Sequence, residues 1–170
     1  VLALRVFEVR YLDMVRKCHQ TGAPFGVVCL TQGSEVRRAG APDEQFHDVG
    51  TLGVIEQLAS PQPGLITLVC KGTDRFRITQ RNHLVHGLWI ASVSQLDRDL
   101  SIPIPEDLKK TATALTQVLH TLHARDALNP AAALPTPEQL DDCGWVANRW
   151  CELLPLDKPT KLQLLALDNP

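Results

Sequence analysis

Apolar and β-branched residues come in short runs through the first hundred positions, and at helical spacing through the last seventy. The β-like runs are Phe25 to Thr31, Val49 to Leu58, Leu65 to Cys70, Arg75 to Gln80 and Leu88 to Val93. Turn formers stand between them, among them Gly22, Gly33, Pro61, Gly64, Gly72 and Gly87, and this alternation predicts separate strands. Several runs are apolar on both faces, as in Phe25, Val27 and Cys29 opposite Val28 and Leu30. That pattern suits a closed or covered barrel better than an open sheet with one wet face. Before Gly22, Tyr11, Met14, Val15 and Cys18 recur at helical intervals, predicting one amphipathic helix over Arg10 to Gln20 inserted in the β unit.

Ile102-Pro103-Ile104-Pro105 marks a boundary, since two prolines in three residues cannot continue a regular element. Beyond it Leu108, Ala112, Leu115, Leu119 and Leu122 form a narrow apolar seam along a helix, free to face the barrel or a second chain. Thr136-Pro137-Glu138-Gln139 reads as a capping box opening a helix with Cys143, Val146, Ala147, Trp150 and Leu153 on one face. Pro155 ends that helix, and Asp157 caps a last one through Leu162, Leu165 and Ala166. The expected architecture is α+β. A β-barrel subdomain with one inserted helix covers residues 1–102, and a three-helix bundle over 103–170 packs against it.

With 170 residues, 44% of them hydrophobic, the chain can fill a core without a metal or disulfide staple. A net charge of −2 supplies no general attraction to nucleic acid or anionic membrane. No apolar run is long enough to cross a bilayer, and the opening residues do not read as a signal peptide. Five widely spaced cysteines fit free thiols in a reducing, cytoplasmic setting. Cys29, Cys70 and Cys143 are expected to be buried.

Leu4-Arg5-Val6-Phe7-Glu8-x-Arg10-Tyr11-Leu12 resembles the opening of the N-terminal substrate-recognition domain of Lon proteases. Further segments that resemble it follow in the same order. They are Phe25-Gly26-Val27-Val28, Val49-Gly50-Thr51-Leu52, Gly64-Leu65-Ile66, Lys71-Gly72-x-x-Arg75-Phe76-Arg77-Ile78, Trp150-x-Glu152-Leu153-Leu154-Pro155-Leu156 and the stretch from Lys161 to Pro170. The pattern departs at Ala3 and Val9, where the family has prolines, and the family carries an additional short strand upstream of this opening. The resemblance implies a PUA-like β-barrel followed by a helical bundle. It also implies a non-catalytic module that binds unfolded or tagged polypeptide, with an adaptor role beside a separate protease as one version.

No catalytic, cofactor or metal site is expected. There is no GxxxxGK[ST] loop, and Lys71-Gly72-Thr73 lacks the upstream glycine. No serine sits in a nucleophile-like setting. The pairs His83/His86 and His120/His123 lack further ligands at a recognised spacing. Arg5, Phe7, Glu8, Arg10 and Tyr11 form a structural motif, in which Glu8 and Arg10 pair at a strand-to-helix junction. Arg75, Arg77 and Arg81 alternate with Phe76 and Ile78, which predicts a basic strip on one strand face. That strip is a candidate surface for an acidic peptide or, as the alternative function, for RNA. The long charged loop Gly33 to Asp48, with Arg37 and Arg38, and the segment 81–87 are the expected recognition edges. Trp150 is expected in the interface between barrel and bundle, and Trp145, off the apolar stripe, at the binding surface.

Overall fold

The structure, a computed structural model, describes residues 1–34, 43–125 and 134–167. The chain divides into two compact units, Val1–Arg98 and Asp99–Pro170, with the division four residues before the expected position 102.

The first unit runs β1 (Leu2–Val6), α1 (Val9–Thr21), β2 (Phe25–Gln32), β3 (Gln45–Gln62), β4 (Leu65–His83) and β5 (Trp89–Gln95). All strand pairings are antiparallel, in the order β1-β4-β3-β2, with β5 also on β4. The two runs expected as separate strands, 65–70 and 75–80, are one strand. Gly72 makes no turn there but lies opposite Gly53, where Thr51 leaves little room for a side chain. On its other edge β4 pairs first with β1 (Ile66 to Cys70) and then with β5 (Phe76 to His83). Among the described residues β2 does not pair with β1 or β5, so the sheet is not closed into the expected barrel by hydrogen bonds.

Helix α1 forms because its apolar positions fall on one stripe, and Gly22 ends it in the left-handed conformation at φ 68°. Its buried Leu12 and Val15 pack on Ile66, Leu68 and Cys70 of β4, with Leu4, Val6, Phe25 and Ile55 around them. The fully buried Val15, Ile66 and Leu68 each contribute about 1.5–3 kcal/mol by leaving water. Cys70 is buried as expected, and burial raises its thiol pKa; Cys29 and Cys143 are only half-buried.

The second unit contains a 3-10 turn (Glu106–Leu108), α2 (Lys109–Arg125), α3 (Pro137–Leu140), α4 (Cys143–Leu153) and α5 (Lys158–Leu165). The capping box at Thr136 is present, with Gln139 answering it, but it opens a single turn. The expected continuous helix breaks at Asp141. Asp142 then caps α4 through its carboxylate on the Trp145 N–H at 2.7 Å. Ile104, Leu115 and Val146 are the buried centre, with Ala112, Leu119, Cys143, Trp145 and Trp150 packed around them. The seam on α2 fades at its ends, where Leu108 and Leu122 are exposed. Helix α5 is capped by Asp157 as expected but has no buried residue, so the core joins α2 to α4 and a three-helix bundle is not established.

Candidate functional site

In the first unit a groove of about 710 Å³ is lined by α1 and by the outer strands β1, β2 and β5. Val28 and Leu30 of β2 line one side, Ala91 and Val93 of β5 the other, and Phe76 and Met14 the space between. Phe76 lies over Gly50 and Gly26, because a side chain at either glycine would collide with its ring. A smaller recess beside Gly87 is rimmed by the exposed apolar residues Phe7, Val9 and Val85.

At one end of the groove stands a polar knot. Arg10, only 7% exposed although charged, donates from Nε to Glu8 Oε2 at 2.9 Å and from Nη1 to Glu44 Oε1 at 3.1 Å. Nη1 also reaches the Gly87 carbonyl at 2.9 Å. The second Glu44 oxygen accepts from Trp89 Nε1 at 3.2 Å. Helix α1, the start of β3 and the β4–β5 hairpin are thus joined through one guanidinium. The Glu8–Arg10 pair expected from the sequence is present, and Glu8 is spared capping work because its carboxylate is committed to Arg10. Burial raises the Tyr11 hydroxyl pKa against the opposing pull of Arg10. Burial also opposes the charge on Arg10, but Tyr11, Glu8 and Glu44 outweigh it and hold the guanidinium protonated.

Aromatic rings continue the knot. Trp89 meets Phe46 edge-on at 5.4 Å and stacks on His83 at 4.5 Å. The Arg81 guanidinium lies 5.2 Å from the Phe46 ring centre. Sequence reasoning did not single out Phe46 or Trp89. Their signal was an aromatic residue at the first positions of a strand, beside a turn or a charged loop.

The three strand arginines do not share a face. Arg75 and Arg77 pair with Thr51 and Val49 on β3, and Arg75 donates to the Asp97 carbonyl at 3.2 Å. Between Ile78 and Gln80 the register slips by one residue against β5, a bulge in which Thr79 Oγ1 donates to the Ser92 carbonyl. A one-residue slip exchanges the faces. Arg81 therefore lies opposite Ala91, on the groove side with Phe76 and Ile78, and leaves the strip.

Arg37 and Arg38 lie outside the described residues. Arg5 pairs with Thr67, one position out of phase with the core residues Leu4 and Val6, and Phe7 is exposed. Trp145 is not a free surface residue. It is half-buried against the helical core, with Arg149 5.8 Å from its ring centre. Trp150 is half-buried in the same core and donates from Nε1 to the Thr111 carbonyl. Among the described residues no three His, Cys, Asp or Glu are grouped to hold a metal, and no helix is long and apolar enough to cross a membrane.

The family model for the substrate-binding domain of the ATP-dependent protease La (Lon) matches residues 1–170. The chain belongs to the Lon substrate-binding domain family. A Lon N-terminal domain protein from Xanthomonas campestris is 32% identical, with a TM-score of 0.70 over 99% of this chain and 82% of that one. The N-terminal domain of a Mycobacterium avium complex Lon protease is 14% identical, with a TM-score of 0.47 over 96% and 87% of the two chains. No curated protein matches. The matched unit is the Lon protease's substrate-binding domain, a non-catalytic part.

Proposed function

We propose that this Lon substrate-binding domain captures polypeptide in an extended conformation, along the groove between β2, β5 and α1. The observation that carries this reading is a mostly apolar groove flanked by β2 and β5, each of which pairs with one other strand among the described residues. The outer edge of a sheet offers main-chain donors and acceptors to an extended chain, while apolar pockets take its alternate side chains. The open groove suits shallow, broadly tolerant binding rather than capture of one rigid ligand. In an adaptor version of this role, the captured chain passes to a separate protease. A cytoplasmic setting agrees with five cysteines that form no disulfide.

The test is a fluorescence-anisotropy titration with a labelled, reduced and alkylated polypeptide at low and high salt. Saturable binding that survives high salt is expected. Val93→Asp, on the groove wall, should weaken it at least about tenfold, which is about 1.4 kcal/mol. Arg77→Ala, on the opposite face, should leave it unchanged. A folded Val93→Asp protein that binds like the parent overturns the groove as the site. Steep loss with salt together with sensitivity to Arg77→Ala points instead to an electrostatic ligand such as RNA.

A further inference from the structure

The bulge at Thr79 has a result that strand alternation alone conceals: it carries one cation to the groove side of the sheet. Before the bulge the residues on that side are Phe76 and Ile78; after it they are Arg81 and His83, opposite Ala91 and Trp89. Bulges recur where a strand must re-aim a side chain toward a site. The Arg81 guanidinium rests by the Phe46 ring, whose other neighbour is Trp89, so an aromatic surface holds the cation in place. Among the described residues no carboxylate lies within ion-pair distance of it. Of the acids at the groove's polar end, Glu8 and Glu44 both hold Arg10, and Glu44 also takes the Trp89 N–H. Most of the groove's lining is apolar, and Arg81, beside the lining residues Phe46 and Ala91, brings to its border a cation with no carboxylate partner among the described residues.

We propose that Arg81 is a specificity-determining residue, selecting bound polypeptides that place an Asp or Glu side chain beside the apolar residues seated in the groove. This rests on the groove reading above and adds a charge preference to it. An incoming carboxylate meets a guanidinium with free fork-shaped donors at the border of a low-polarity surface. The neighbouring Phe46 and Trp89 take the adjacent apolar side chain. Because Arg81 is exposed, the preference is modest and weakens with salt.

Two labelled twelve-residue peptides test this on the full chain. Both consist of Leu, Phe, Val and Ser around two variable positions, occupied by Asp in one and Asn in the other. The parent should bind the Asp peptide about two- to fivefold more tightly at low salt, the range of an exposed ion pair. Arg81→Met keeps an unbranched apolar side chain beside Phe46 and removes the charge. It should bind both peptides equally, and as tightly as the parent binds the Asn peptide. Arg81→Lys should keep part of the preference, and Arg81→Glu should reverse it. Equal binding of the two peptides by the parent overturns the role of Arg81 and leaves the groove standing. An Asp preference that persists in Arg81→Met overturns it as well, since another cation then reads the carboxylate. Binding of neither peptide by the parent overturns the groove reading itself.

Discussion

Arg10 and Glu44, 34 residues apart in the chain, meet at 3.1 Å with side chains only 5% and 9% exposed. A buried ion pair adds little net stability when intact, because both charges lost their water to form it. Removing one partner is a different matter, since the other charge stays buried and incompletely matched. Glu44→Ala should therefore destabilise the protein by about 3 kcal/mol, with Glu8 still retaining part of the guanidinium. Urea denaturation followed by circular dichroism measures this. A loss below about 1 kcal/mol would show the knot to be a surface contact.

The same carboxylate gives the protein an acid-sensitive element. Burial alone would raise its pKa, but hydrogen bonds from its own backbone, from Trp89 and from Arg10, with the Arg10 charge, hold it below the ordinary value. Unfolding returns it to about 4.3. The unfolded chain thus takes up this proton more readily than the folded one. The stabilisation is complete above the unfolded pKa and drains away as pH falls through the folded value. Melting temperatures of the parent and Glu44→Gln, measured from about pH 7 down to about pH 3, should differ most at neutral pH and converge in acid. A constant gap across that range counts against the assignment.

Val9 occupies the first position of α1, where the family pattern has proline. Its side chain is 76% exposed, so replacing it costs little packing. The first amide of a helix has no intrahelical acceptor, and Glu8 before it is already extended at φ −76° and ψ 130°. Proline fits both conditions and narrows the unfolded ensemble. Val9→Pro should stabilise the protein by about 0.5–1 kcal/mol, seen as a higher denaturation midpoint at unchanged slope. Destabilisation would mean that the amide of Val9 has a bonding partner it needs.

Asp142 shows why the second unit was only partly legible from sequence. The capping box at Thr136 was readable, but a second cap six residues later restarts the helix, and periodicity cannot announce an interruption of one turn. Asp142 also accepts from Ser101 Oγ at 2.6 Å, a contact between segments far apart in sequence. The Arg10–Glu8 pair could be read because both partners lie in one short motif, whereas Glu44, Gly87 and Trp89 reach it only through the tertiary fold. Arg81 was misplaced for a related reason: strand alternation holds only until a bulge, and Thr79 carries no sequence mark of one. Asp142→Ala should cost about 1–2 kcal/mol, whereas Asp142→Asn, which still caps, should cost less in the same denaturation experiment.

Phe76 makes two glycines necessary for different reasons, and a double-mutant cycle separates them. The three atoms nearest to a side chain at Gly26 all belong to the Phe76 ring, the closest at 3.0 Å. One at Gly50 would meet the ring and Val28 at 2.7 Å, and the Val27 carbonyl at 2.5 Å. A ring can be shortened by substitution, but a backbone oxygen held in a sheet cannot move aside. Gly26→Ala should cost about 1–2 kcal/mol in the parent and close to nothing in a Phe76→Leu background, a coupling characteristic of direct contact. Gly50→Ala should cost about 3 kcal/mol in both backgrounds, at the upper end of overpacking penalties. Rescue of Gly50→Ala by Phe76→Leu would show that the β2–β3 backbone spacing yields more readily than this pairing implies. Failure of the Gly26 rescue would move the collision from the ring to the strand itself.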